Sequence, residues 1–318
     1  ETHPALSPDD RFADFEDYPY YISPQPIPYA PEAGDFVRSA LGRGLAIEAE
    51  FGANPYRFGV IGSTDSHTGL ATAEEPNFWG KFPTDSTFDG KVKTMNAIEN
   101  FGWAMSASGL AAVWAEDNTR EAIFAAFQRR EVYATTGPRI ALRVRALPGA
   151  RPDATLDSVS MDPGDDAVPM GGALSALEHA PTFLIEAAKD PKSGHLDRVQ
   201  VIKGWLEDGE ARERVYDAAW AGTRTPDENG RVAALPDTVD PKTGRYSNEY
   251  GSATLSTLWA DPDFDPMQPA FYYVRVLEVA TPRHSTLDAV AMGRDPTTTG
   301  QPISIQERAY SSPIHYRP

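Results

Sequence analysis

The sequence predicts an α/β unit over residues 1–139 and an antiparallel, β-sandwich-like unit over residues 140–318. The chain has 318 residues, which is more than a typical single domain contains. In the first part, an amphipathic helical pattern is followed by a short apolar run, and this succession is typical of α/β proteins. After residue 140 the pattern changes to short segments, several with alternating apolar and polar residues, which favours antiparallel sheets.

The first unit begins with residues 1–34, which are rich in acidic residues, aromatic residues and prolines. Because proline interrupts regular hydrogen bonding, we expect no long element there. Asp35 is the predicted N-cap of a helix that runs to about Glu50 and is stopped by Gly52. The apolar stripe of this helix consists of Val37, Leu41 and Leu45.

Three further features follow in the first unit. The apolar run 57–62 lacks polar alternation, so it predicts a strand buried on both faces, as in a parallel sheet or barrel. Residues 68–108 predict a long loop of the kind that forms a lid or a substrate-facing insertion. Asn118, with Glu121 three positions later, predicts the capped start of a helix that ends near Arg130.

Six segments of the second unit have strand-like patterns, and proline-, glycine- and aspartate-rich connections separate them. No helix of three turns is predicted in this unit. The predicted strands are Ile140–Ala146, Thr182–Lys189, Arg198–Trp205, Arg214–Trp220, Ala253–Trp259 and Phe271–Val279.

Composition excludes several classes of function. The 46 acidic residues against 29 Lys and Arg give a net charge of −17, whereas nucleic-acid binding requires clustered positive charge. The absence of cysteine excludes disulfides, thiol nucleophiles, Cys-ligated zinc and iron–sulfur clusters. No apolar run approaches 18 residues, so a membrane is not an expected partner. Because of the negative net charge, a nucleic acid is not an expected partner either.

The segment Gly62-Ser63-Thr64-Asp65-Ser66-His67-Thr68-Gly69 carries the most informative pattern. Asp65 and His67 are two residues apart, so an extended backbone would point both side chains to one side, where a carboxylate and an imidazole can bind divalent ions. The spacing alone is not specific. The alternative is an Asx-type turn in which Asp65 caps local amides and His67 is hydrogen-bonded at its edge.

Four stretches of the chain together resemble one family, and the resemblance covers essentially the whole sequence. This is the bacterial family labelled domain of unknown function 3604, whose members are similar to PHP-type (polymerase and histidinol phosphatase) metallohydrolases. The stretches are residues 62–75, 107–116, 130–139 and 271–278.

The resemblance implies a fold, a chemistry and a metal site. Residues 1–139 would be the C-terminal part of a distorted β/α barrel that holds two or three divalent ions (Zn, Mn or Fe). The final Asp-x-His motif of such barrels maps onto Asp65 and His67, and an earlier histidine beside a proline maps onto His3. The implied activity is hydrolysis of a phosphate ester or a related small ester, in which the ions lower the pKa of a bridging water. No catalytic acid or base and no substrate-binding residue is assigned.

One departure from the family pattern changes this expectation. PHP proteins open with a His-x-His motif, and this chain contains none. The chain therefore resembles the C-terminal half of a longer protein, and the missing N-terminal half is an expected partner. With at most three ligands, the segment alone is expected to bind metal poorly and to be inactive. The family's export signals imply a periplasmic or secreted protein, with the cytoplasm as the alternative.

A second function remains open, a non-catalytic β-sandwich module that recognises a carbohydrate or a protein partner. Tryptophans in or beside the predicted strands would suit sugar stacking, although core packing is the more common role. Four basic residues would suit binding of a substrate anion, although ion pairing is the more common role in so acidic a protein. These basic residues are Arg139, Lys203, Arg275 and Arg283.

Overall fold

A computed structural model describes residues 1–18, 20–21, 23, 25, 27–95, 98–106, 109–148, 154–158 and 164–318. The protein is built mainly from antiparallel β-sheets with few helices. Its strands are β1 Leu110–Val113, β2 Val132–Thr135, β3 Ala141–Leu147, β4 Val168–Pro169, β5 Ala173–Ser175, β6 Thr182–Ala188, β7 Leu196–Glu207, β8 Glu210–Trp220, β9 Thr254–Ala260, β10 Ala270–Glu278, β11 Thr281–Pro282, β12 Ser304–Ile305, β13 Arg308–Ser311 and β14 Ile314–Arg317. Its helices are α1 Val37–Phe51, α2 Phe88–Lys91, α3 Phe101–Ala104, α4 Arg120–Arg129 and α5 His284–Ala291.

The larger sheet has the order β1-β2-β13-β10-β14-β5, and β7 pairs with both β10 and β8. The smaller sheet has the order β4-β3-β6-β9, and β11 and β12 form a separate two-stranded ribbon. All these pairings are antiparallel except that between β14 and β5. Strand β10 is the centre of the larger sheet, because it bonds to β7, β13 and β14.

Strand β10 is buried on both faces, because the smaller sheet covers one face and α1 covers the other. Its residues Tyr272, Val274 and Val276 belong to the main core, which also takes side chains from β3 and β6 of the smaller sheet. Its residues Phe271 and Tyr273 point the other way, and they pack with side chains of α1. The larger sheet therefore lies between α1 and the smaller sheet, in keeping with the period-2 side-chain alternation of a strand.

All six strands predicted after residue 140 are confirmed, with end positions that differ by up to four residues. The largest difference is at the β7–β8 hairpin, where Glu207 pairs with Glu210. The two residues between them, Asp208 and Gly209, both have positive φ, 51° and 81°. An Asp-Gly turn with this geometry keeps the strands paired up to the turn itself.

The strand predicted over 57–62 is wrong. This segment forms no strand and is half-buried rather than enclosed on both faces. It makes single contacts with its neighbours instead of a ladder, because the Val60 N–H donates to the Ser312 hydroxyl at 2.9 Å and the Gly62 N–H to the Leu110 carbonyl at 3.2 Å.

The two predicted helices are present, but both predicted N-caps are wrong. Asp35 lies in a short 3₁₀ turn, and the cap position of α1 is Phe36, which makes no side-chain capping bond. The cap of α4 is Thr119 rather than Asn118, because the Thr119 hydroxyl accepts the Ala122 N–H at 3.2 Å. Gly52 ends α1 as predicted, with φ 75° and its N–H donated to the Glu48 carbonyl.

Over residues 1–139, the described part of the chain has only two strands, β1 and β2, and it does not form a barrel. These strands pair antiparallel and join the sheet that contains β10 and β13. The division at residue 140 stays a prediction, and strands from both sides of it share one sheet. Among the described residues, no helix is long and apolar enough to cross a membrane.

Candidate functional site

A cavity of about 360 Å³ lies beside the larger sheet. Its walls come from the N-terminal segment, from the first turns of α1, from residues 60–63, from Lys81 and from the end of β2. This volume lies within the range of cavities that bind small molecules.

The segment that carries the Asp-x-His motif is anchored on β1 and β2 through Gly62. The Gly62 N–H bonds to the Leu110 carbonyl, and the Gly109 N–H donates to the Ser63 carbonyl at 2.9 Å. A Cβ atom on Gly62 would lie 2.7 Å from the carbonyl oxygens of both Leu110 and Thr135. The absence of a side chain therefore permits this close approach, and the segment enters the cavity wall at a fixed point.

The backbone at Asp65 is not extended, so the sequence argument for two side chains on one side is wrong. Asp65 has a φ of 49°, within the left-handed region. Hydroxyl groups shape this turn, since Ser63 Oγ accepts the Asp65 N–H at 3.4 Å and Thr64 Oγ1 accepts the Ser66 N–H at 3.3 Å.

The turn leaves the Asp65 carboxylate and the His67 ring exposed. The Asp65 side chain is 77% exposed, and in the described part of the chain its carboxylate caps no amide. His67 bonds through its backbone N–H to the Lys81 carbonyl at 2.7 Å. Its ring stacks on Phe82, with centroids 4.6 Å apart. The predicted Asx-type turn is therefore not formed, and both groups remain available to a ligand.

Lys81 is a functional residue that the sequence argument missed. Its side chain is buried, lines the cavity, and donates from Nζ to the Thr64 carbonyl at 2.6 Å. Asp65 Oδ2 lies 3.9 Å from the same ammonium. Burial lowers the pKa of Lys81, and Asp65 opposes this shift. The sequence feature that could have indicated Lys81 is that no other Lys or Arg occurs between positions 58 and 90.

His3 reaches the cavity through Asp17. His3 Nδ1 accepts the Ala5 N–H at 3.1 Å, which directs Nε2 to Asp17 Oδ2 at 3.5 Å. Asp17 lines the cavity, and burial raises its pKa while His3 lowers it. The ring of His3 lies 6.0 Å from that of Phe36, another lining residue.

The donors present fit part of a divalent metal centre and not a complete one. His3 Nε2 and Asp17 Oδ2 are close enough to be neighbouring ligands of one ion. Asp65 and His67 also carry donor atoms of the right type, although the Asp65 carboxylate lies 3.9 Å from the Lys81 ammonium. However, no group of three or more His, Asp or Glu side chains in the described ranges is placed to hold one ion. Residues that contact the predicted ligands line one cavity, but the ligands themselves do not converge on one point.

A buried ionic network contributes Glu1, Arg38 and Tyr273 to the cavity lining, and the sequence did not indicate it. Arg275 donates to Asp10 at 2.7 Å and to Glu1 at 3.0 Å, and Arg38 also bonds to both acids. Burial opposes ionisation of Glu1, but Arg275 and Arg38 together hold its pKa well below its ordinary value. The Tyr273 hydroxyl completes the network by accepting from Arg38 at 2.7 Å.

The four basic residues singled out in the sequence are all ion-paired, which is the role that we expected to be the more common one. Besides Arg275, they are Arg139 with Glu74 at 3.0 Å, Lys203 with Asp261 at 2.7 Å, and Arg283 with Glu16 at 2.8 Å.

The fold and the site together define a mainly antiparallel β protein with a partly apolar cavity beside its larger sheet. The family model described as "Protein of unknown function (DUF3604)" matches residues 1–318, so the chain belongs to that family. No curated protein and no solved structure matches the chain.

Proposed function

We propose that this protein is a metal-dependent hydrolase of the PHP type that acts on a phosphate ester or a related small ester. The observation that supports this most is that both predicted ligand stretches border one cavity. His3 pairs with the lining residue Asp17 and Asp65 pairs with the lining residue Lys81, whereas His3, Asp65 and His67 themselves lie outside the lining. A single catalytic centre requires that segments so distant in sequence meet at one cavity.

The residues that would hold divalent ions are Asp65, His67 and His3, together with Asp17. Zn, Mn or Fe bound there would activate a water and polarise the ester. Because the described residues provide no group of three converging donors, the remaining ligands would come from the N-terminal half that the family resemblance implies.

Metal titration tests the ligands directly. We expect the double variant Asp65→Ala/His67→Ala to bind Mn²⁺ or Zn²⁺ at least about 10-fold more weakly than its parent, both with the N-terminal half present, because the variant lacks two metal-ligating side chains. Isothermal titration calorimetry measures this without reference to turnover.

Asp117→Ala/His179→Ala is the matched control, because it removes the same two functional groups from other exposed positions. It should leave the affinity unchanged. If, with the N-terminal half present, Asp65→Ala/His67→Ala has the same metal affinity and the same ester hydrolysis as its parent, the proposed metal centre is wrong, and a non-catalytic binding module becomes the better explanation.

A further inference from the structure

Part of the cavity lining is apolar, and we call this part the apolar wall. It is formed by the N-terminal segment, by the start of α1 and by the segment before Gly62. The apolar side chains that line it are Phe15, Phe36, Val37, Leu41, Val60 and Ile61. A ligand with hydroxyl groups on every side, such as a sugar phosphate, would place some of them against this wall without partners, and that is unfavourable.

Other residues of the lining are polar, and one of them, Lys81, is an incompletely paired cation. The Lys81 ammonium has three N–H donors. In the part of the chain that the structure describes, it donates to the Thr64 carbonyl at 2.6 Å and Asp65 lies 3.9 Å away, while Asp85 and Glu16 act on it at longer range. Ser63 and Thr135 also line the cavity. The other cavity-lining cation, Arg38, is already bonded to Glu1, Asp10 and Tyr273.

Lys81 is therefore the group that can attract an anion to the cavity, although the net charge of the protein repels anions. The chain has a net charge of −17, which repels anions over the whole surface. A buried ammonium with unused donors is a local exception, because a charge-assisted hydrogen bond is stronger in a site that excludes water.

We infer that the substrate is an amphipathic ester whose anionic head is held by Lys81 and whose apolar group, of about the size of a phenyl ring, packs on the wall formed by Phe15, Phe36 and Val37. This inference rests on the proposed hydrolase function and specifies its substrate. A bare phosphate would leave the apolar wall in contact with water, whereas an aryl or short alkyl group would bury it.

Binding of phosphonates, which are not hydrolysed, tests the inference independently of turnover. Calorimetry on the 318-residue chain should show phenylphosphonate binding at least about 10-fold more tightly than methylphosphonate, because the ring buries apolar surface that the methyl group does not. Equal affinities, or no binding of either compound, would overturn the inference.

Two variants assign the two ends of the ligand. Val37→Ser should weaken phenylphosphonate binding by about 3- to 5-fold and leave methylphosphonate unchanged. Phe51→Ser is the control on the same helix, since Phe51 is 71% exposed and lies outside the cavity lining. It should change neither affinity. Lys81→Met should weaken both phosphonates by a similar factor, because both share the anionic head.

The failure of this inference is distinguishable from the failure of the proposed function. If metal-loaded protein hydrolyses methyl phosphate and phenyl phosphate with the same kcat/KM, the function stands and the inferred substrate class is wrong. If phenylphosphonate binds preferentially but metal-loaded protein that includes the N-terminal half hydrolyses no ester, the ligand class stands and the hydrolase function is wrong.

Discussion

Gly62 determines how closely the Asp-x-His segment approaches the sheet. Its Cα position leaves no room for a methyl group, because two backbone carbonyl oxygens, those of Leu110 and Thr135, would lie 2.7 Å from a Cβ. Backbone atoms of paired strands move less readily than the end of a side chain. A larger residue at position 62 would therefore push the Ser63–Asp65 turn away from the cavity.

We expect Gly62→Ala to destabilise the protein by about 1–3 kcal/mol, the usual cost of overpacking. The measurement is urea unfolding of the variant and the parent. Gly69→Ala is the control in the same loop, because a Cβ there would meet nothing within 4 Å, and it should stay within about 0.5 kcal/mol of the parent. Equal unfolding free energies for the two variants would show that the Gly62 contact is not constraining.

At the scale of single residues, the sequence located the motif but not its environment. Asp65 and His67 were identified by type and spacing. Their orientation depends on the hydroxyls of Ser63 and Thr64, which bend the backbone out of the extended form. Lys81 was missed because its importance comes from burial beside Thr64, a contact between loops 17 positions apart.

The helix α4 shows how an N-cap is chosen among neighbouring candidates. Asn118 and Thr119 both have side chains that cap helices well. Thr119 has the extended backbone of a cap residue, with φ −119° and ψ 158°, and its hydroxyl accepts the Ala122 N–H. The capping bond therefore starts the helix one residue later than the sequence pattern indicated.

Replacing each candidate cap tests this assignment. Thr119→Ala should lower the free energy of unfolding by about 1 kcal/mol, because it removes the acceptor of a helix-end N–H. Asn118→Ala should cost less than about 0.5 kcal/mol, as expected for an exposed residue outside the helix. Thermal unfolding of the two variants is sufficient, and the reverse order of stabilities would contradict the assignment.

The strands after residue 140 could be predicted because their alternation is enforced by packing. In β10, odd and even positions face different cores, and such a pattern is visible in the sequence alone. The apolar run 57–62 has a similar composition but no ladder partner, since it meets β1 and β13 only through isolated contacts near Leu110 and Ser312. Composition does not distinguish these cases, because pairing depends on residues far away in the chain.

At the scale of the whole molecule, buried charges connect the N-terminal segment to the centre of the larger sheet. Asp10 bonds to Arg275 of β10 and to Arg38 of α1. One carboxylate thus joins three parts of the chain that are distant in sequence. Because every charge in this network has a partner of opposite sign, its desolvation is offset, and removal of one partner would be costly.

A second set of buried acids lacks such compensation. Burial raises the pKa of Glu75 to about 7 and that of Glu278 to about 8, and it raises the pKa of Glu307 well above its ordinary range. Arg283 opposes the shift at Glu75. At Glu278, the Ser193 hydroxyl donates to Oε2, whereas Oε1 is buried and has no hydrogen-bond partner among the described residues.

These raised pKa values make stability depend on pH in a defined direction. Below the unfolded pKa of 4.5, Glu278 is protonated in both states and imposes no penalty. Between there and about 8, the folded state holds a proton that the unfolded state releases. The free energy of unfolding therefore falls as pH rises through this interval, and the loss is complete above the folded pKa.

Glu278→Gln removes the titrating proton but keeps an oxygen that can accept the Ser193 hydroxyl. Relative to the parent, its free energy of unfolding should increase by on the order of 3 kcal/mol between about pH 5 and about pH 8. Urea unfolding at both pH values measures the difference. Glu228→Gln, at an exposed position, is the control and should follow the parent at both. If Glu278→Gln also follows the parent, the Glu278 carboxyl is already ionised at low pH in the folded protein, and its burial is balanced by a partner that the fold supplies.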